Sequence, residues 1–112
     1  MGGGCGGEPV PAEVRALAAL LERRWSLSVL YAAHLGAVRF SEFQAALGPV
    51  PPATLTQRLA DLEDAGLMER RVLPTRPPRT EYGLTTEGHS LAPMLEALTA
   101  CSRRPGMPTD RS

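Results

Sequence analysis

The apolar residues of this chain recur at one spacing up to Gly66, at another between residues 67 and 85, and at the first again afterwards. Steps of three and four mark helices with one buried stripe, and alternation marks a half-buried strand. At 112 residues the chain has room for one apolar core and not for two ordinary domains. Aromatic residues make up only 4%, so that core has to be built from Leu, Val, Ala and Met, as helical domains commonly are. The fold class expected is mainly α with a small β-hairpin.

Residues 1–11 are rich in glycine around Cys5, lack any apolar period and are expected to be flexible. From Ala12 the residues Val14, Leu17, Leu20, Leu21 and Trp25 give a first amphipathic helix. A second carries Leu27, Leu30, Tyr31 and Leu35, and Gly36 ends it by supplying a left-handed conformation. Ser41 reads as the cap of a third, with Gln44 reaching back in a capping box, and Phe43 and Leu47 on its inner face. After the turn Gly48 to Pro51, Pro52 suits the first position of a fourth helix, which runs on Leu55, Leu59 and Leu62 to Gly66.

Residues 67–73 and 80–85 then form a hairpin around Pro74, Pro77 and Pro78, with Met68, Val72, Tyr82 and Leu84 expected to face the core. Thr85 is expected to cap a last helix whose stripe is Leu91, Met94, Leu95 and Leu98 and which Pro93 bends. The folded domain thus spans residues 12–101, and residues 102–112 form a polar tail expected to be disordered.

Several function classes fall away. No run of 18 apolar residues exists and the N-terminus is glycine-rich, not basic and then apolar, so neither a membrane span nor a secretory signal is expected and the cytoplasm is the expected compartment. Cys5 and Cys101 lie near opposite ends, which argues against a disulfide framework or a four-ligand zinc site. His34 and His89 are isolated, and there is no glycine-rich phosphate loop. No catalytic set, metal or cofactor is expected, and the chain does not read as an enzyme.

What remains is a distribution of charge. Formal net charge is +0, although affinity for DNA comes mainly from cations that neutralise phosphates. Every basic residue is Arg, and Arg70, Arg71, Arg76 and Arg79 fall in a stretch with no acid. Arginine's planar fork suits phosphates and guanine edges. A solvated basic hairpin is the plainer explanation of this cluster taken by itself.

The order of elements adds to it. Two helices joined by a tight Gly-containing turn form a helix-turn-helix, and the hairpin behind them is placed as its wing. With Leu55, Leu59 and Leu62 inward, Ala53, Thr54, Gln57 and Arg58 lie outward or on the flank, and Thr56 near the edge. Gln pairs with adenine and Arg with guanine through two bonds, which makes Gln57 and Arg58 the candidate base readers. The competing explanation is a solvated helix face on which Arg58 pairs with Asp61 or Glu63. Arg76 and Arg79 flank Pro77 and Pro78 at the hairpin tip, placing cations on a stiff loop suited to a minor groove or a phosphate rail. Arg39 and Ser41 stand where a helix start favours an anion, with capping the alternative role of Ser41.

Arg39-Phe40-Ser41-Glu42-Phe43, Leu55-Thr56-Gln57-Arg58-Leu59, Gly66-Leu67, Pro77-Pro78-Arg79-Thr80-Glu81-Tyr82 and Leu84-Thr85 together resemble the motifs of HxlR-type winged helix-turn-helix regulators, relatives of the MarR type. The resemblance covers about residues 12–100 in register. It implies a homodimeric transcription factor on a palindromic operator of double-stranded DNA, with terminal helices forming the subunit interface. Leu17, Leu20, Leu21, Leu91, Leu95 and Leu98 are the candidate interface residues, against the alternative that they form only the chain's own core.

The chain also departs from the family. Glu22, Arg23 and Arg24 stand where Gly-Gly-Lys usually precedes the residue matching Trp25, and Pro51, Pro52 and Ala53 replace Ser-Pro-Lys, losing a cap hydroxyl and a cation. The cysteine with which many members sense oxidants would fall near Ala12, so neither Cys5 nor Cys101 inherits that role by position, and both are carried as candidate redox thiols. A winged-helix module that grips an acidic protein partner is the alternative function.

Overall fold

Phe43, Leu55, Leu59 and Leu62 are fully buried and meet Val29 and Leu30 in one cluster, closed from the wing side by Leu67 and Met68. Each such side chain stabilises the fold by roughly 1.5–3 kcal/mol relative to exposure. The computed structural model describes residues 7–106. Around the cluster run α1 (Ala12–Leu21), α2 (Ser26–His34), α3 (Phe40–Leu47), α4 (Pro52–Asp64), β1 (Met68–Leu73), β2 (Arg79–Leu84), α5 (Thr86–His89) and α6 (Ala92–Ser102). The strands make a two-stranded antiparallel sheet in which Met68 faces Leu84, Arg70 faces Tyr82 and Val72 faces Thr80. This is the expected mainly helical chain with a hairpin.

The helix ends follow from local chemistry. Gly36 (φ 113°) and Gly66 (φ 79°) adopt the left-handed conformation that closes α2 and α4. In each case the glycine N–H and the next one turn back onto the last carbonyls, Gly36 to Ala33 and Ala37 to Ala32, Gly66 to Glu63 and Leu67 to Leu62, all at 3.0 Å. Pro52 opens α4, where its missing donor costs nothing. The Thr85 hydroxyl accepts from the Gly88 N–H at 3.1 Å and donates to the Gly66 carbonyl at 2.6 Å, so one side chain caps α5 and ties it to the end of α4.

Four expectations are corrected. α3 starts two residues early, at Phe40: Arg39, not Ser41, occupies the cap position, and the Glu42 carboxylate accepts from the Arg39 and Val38 N–H groups at 3.0 and 2.8 Å. That charged acceptor displaces the Ser41–Gln44 capping box. The first helix stops at Leu21, and Trp25, expected on its stripe, stands beyond the turn with φ 79° at the head of α2. The last helix is two, because the Pro93 ring excludes the bond a continuous helix would make to His89, and a new ladder begins with Leu95 N–H on the Leu91 carbonyl at 3.1 Å. Val72, expected in the core, is 57% exposed, since the far half of the hairpin extends past the helices that would cover it.

Of the expected flexible segments, residues 1–6 and 107–112 lie outside the described residues, and residues 7–11 are exposed and form no helix or strand.

Candidate nucleic-acid interface

α3 and α4 are joined by Gly48 to Pro51, with Gly48 at φ 84° and Val50 turned into the core. This turn sets α4 on the surface with its leucines down. Ala53, Thr56 and Gln57 are exposed, and Thr54 and Arg58 are half-buried. The hairpin stands beside it, held at its base by the Tyr82 N–H on the Val38 carbonyl (2.8 Å) and by the Tyr82 ring meeting Phe43 edge-on, centroids 6.3 Å apart.

At the wing, Arg70, Arg71, Arg76 and Arg79 are all exposed. Arg71 lies 3.6 Å from Glu69, a solvated pair of little energetic weight. Among the described residues, neither Arg76 nor Arg79 has a carboxylate partner. The tip between them is braced by the Thr75 hydroxyl, which donates to the Pro77 carbonyl at 2.7 Å.

Arg58, expected as a base reader, is fastened instead to its own domain. Its Nη1 reaches Asp61 Oδ2 at 2.5 Å, and its Nε donates to the Arg24 carbonyl at 3.0 Å. Asp61 is the hub of this arrangement: it also takes Arg23 Nη1 on Oδ2 at 3.0 Å and Gln57 Nε2 on Oδ1 at 2.9 Å, and is itself buried at 8% exposure. Burial pushes its carboxyl up, but the hydrogen bonds from Gln57, Arg23 and Arg58 outweigh that and hold it below its ordinary 3.8. Sequence reading found the Arg58–Asp61 contact only as the rival to base reading and missed Arg23, whose approach depends on a turn distant in sequence.

Arg39 and Ser41 are exposed at the start of α3. The anion expected there is in part supplied by the chain itself, since Glu42 sits on the two N–H groups, which lower its carboxyl below the usual carboxylate value.

The candidate interface leucines divide. Leu17, Leu20, Leu21 and Leu91 are half-buried against the chain's own core, Leu95 is fully buried and offers no surface, and Leu98 is 38% exposed. α1 contains no buried residue and leaves Val14 exposed. α6 is joined to α2 by a hydrogen bond between the Tyr31 and Thr99 hydroxyls and by His34 Nε2, 3.7 Å from Glu96. Cys101, on the last turn of α6, is an exposed free thiol, whereas Cys5 lies outside the described residues. Among those residues no three His, Cys, Asp or Glu side chains cluster as metal ligands, and no helix is long and apolar enough to cross a membrane.

The family model described as HxlR-like helix-turn-helix matches residues 20–109. An HTH-type transcriptional regulator of Bacillus subtilis, YvaP, is 41% identical over 76 residues, covering 68% of this chain and 70% of that protein. The chain spans between 57% and 72% of the length of such curated relatives. Among solved structures, the reduced form of the B. subtilis transcriptional regulator YodB superposes with a TM-score of 0.75 at 26% identity, covering 91% of this chain and 100% of that one. The redox regulator HypR in its oxidised form superposes with a TM-score of 0.75 at 26% identity, over 90% and 99% of the two chains. With the winged helix, the α3–turn–α4 unit and these likenesses in agreement, the chain belongs to the HxlR-like family of helix-turn-helix transcriptional regulators.

Proposed function

We propose that the protein acts as a homodimer on a palindromic operator in double-stranded DNA. The observation that carries this reading is the exposed face of α4, bearing Ala53 and the polar Thr56 and Gln57 beside an arginine-tipped wing whose Arg76 and Arg79 are unpaired among the described residues. α4 enters the major groove, with Gln57 as base reader and Thr54 and Thr56 on phosphates or thymine methyls. Arg76 and Arg79 grip the backbone or minor groove alongside, and Arg39 and Ser41 lie against a flanking phosphate. Exposed Val14 and Leu98, with the half-buried Leu17, Leu20, Leu21 and Leu91, supply the subunit contact, which sets two copies of α4 about 34 Å apart, one turn of duplex.

The operator-bound state responds to a redox signal or a small molecule. The exposed Cys101 supports the redox reading, as do structural neighbours whose names call them redox regulators. Joining two thiols as a disulfide releases two protons and two electrons, which an external oxidant accepts.

A gel-shift titration of the full chain against the DNA upstream of its own gene tests the reading. Operator binding gives a discrete complex that persists at moderate salt, with DNA protection in two half-sites. A module that uses its wing on an acidic protein partner gives only weak binding that vanishes as salt rises.

A further inference from the structure

Gln57 reads its base with an amide that has two ends, and which end faces which way decides what it recognises. A glutamine in free rotation offers either its carbonyl or its NH2 at a given point in the groove. Here the amide is held. Its Nε2 lies 2.9 Å from Asp61 Oδ1, one helical turn along α4. An ionised carboxylate only accepts, so it selects the NH2 end and rejects the carbonyl end, and Asp61 is kept ionised by Arg58 and Arg23 on its other oxygen. One amide hydrogen is engaged in this way. The carbonyl oxygen and the second hydrogen remain, which is the acceptor-and-donor pair that meets N6–H and N7 of adenine.

We propose that Asp61 is a specificity-determining residue: by fixing the amide of Gln57 it makes this protein read adenine at one position of each half-site, without touching DNA itself. The inference rests on α4 being the reading helix. The ion pairs that hold Asp61 reach back to Arg23 and the Arg24 carbonyl in the α1–α2 turn, so the reader is braced by an element outside the helix-turn-helix.

The test is selection of bound duplexes from a random pool by the full-length chain and by variants. Gln57→Ala identifies the position that Gln57 reads, as the one where preference is lost, and no change at any position shows that the α4 reading itself is wrong. Asp61→Asn gives its neighbour an amide that accepts or donates, so adenine preference at that same position should fall by about fivefold or more, with the rest of the operator unchanged. Arg58→Gln leaves the Gln57–Asp61 bond in place and should keep the preference. Retention of the adenine preference within about twofold in Asp61→Asn overturns the proposal, and so does an equal loss in Arg58→Gln, which would mean general loosening of α4. Should Asp61→Asn unfold because Arg58 is stranded, the double variant with Arg58→Gln removes that cation and carries the same test.

Discussion

The Nε of Arg58 donates to the backbone carbonyl of Arg24, 3.0 Å away and 34 residues earlier in the chain. This bond, with the ion pair between Arg23 and Asp61, pins the flank of α4 to the turn between α1 and α2. It makes Arg58 a brace for the reading helix. Arg58→Ala should therefore lower stability by about 1–3 kcal/mol, because it takes from a buried carboxylate one of the two cations that pair with it and removes the tie to the Arg24 carbonyl. Chemical denaturation of the DNA-free protein measures this, and an unchanged midpoint would remove the brace.

Acid should act through the same carboxylate. Asp61 is held below its ordinary 3.8 in the folded protein by Gln57, Arg23 and Arg58, against the opposing effect of burial. Above 3.8 its contribution to stability is fully present. As the pH drops below that value the unfolded chain binds a proton that the folded chain does not, and the contribution is lost through the lowered folded value. Thermal melts taken from about pH 5 to pH 2 should show a shallower acid limb for Asp61→Asn than for the unaltered chain. Parallel limbs would mean that Asp61 titrates alike in both states.

The turns and the core were legible in the sequence because their causes are local. Gly36 and Gly66 take left-handed conformations and Pro52 opens α4, all as the residue types require. Phe43, Leu55, Leu59 and Leu62 are buried as their spacing implies. Ser41 misled because Glu42 takes the Arg39 and Val38 N–H groups with a charged acceptor, which starts the helix ahead of Ser41 and leaves that residue inside its first turn. Val72 misled because alternation gives the face of a strand and not how far its neighbours extend. In the candidate site, Gln57 and the wing arginines could be named from residue type and order. The Asp61 hub could not, since Arg23 reaches it only once the α1–α2 turn has packed against α4.

A methyl group at Gly88 should be poorly tolerated. A Cβ there would lie 2.1 Å from the Leu67 carbonyl oxygen and 3.0 Å from Leu84 Cδ2, at the point where α5 seals the base of the wing. Relief requires moving backbone, so Gly88→Ala should cost about 1–3 kcal/mol or more. The melting temperature reports it, and a variant as stable as the parent would show that α5 is free to shift.

The wing arginines should act without regard to sequence. Arg76→Ala and Arg79→Ala each remove an exposed cation, so each should weaken binding to all duplexes and reduce the slope of log affinity against log salt by about one unit. Titrations over a salt series check this, and an effect confined to one sequence would assign these residues to base contacts instead.

Sequence-specific binding to duplex is tested most directly by the ratio of two dissociation constants, for a duplex selected from a random pool and for a scrambled duplex of equal length, at about 150 mM salt. The selected duplex should bind about a thousandfold or more tightly, and Gln57→Ala should reduce that ratio. Equal constants, falling together as salt rises, would contradict operator recognition by α4 and leave only the attraction of arginines for phosphate.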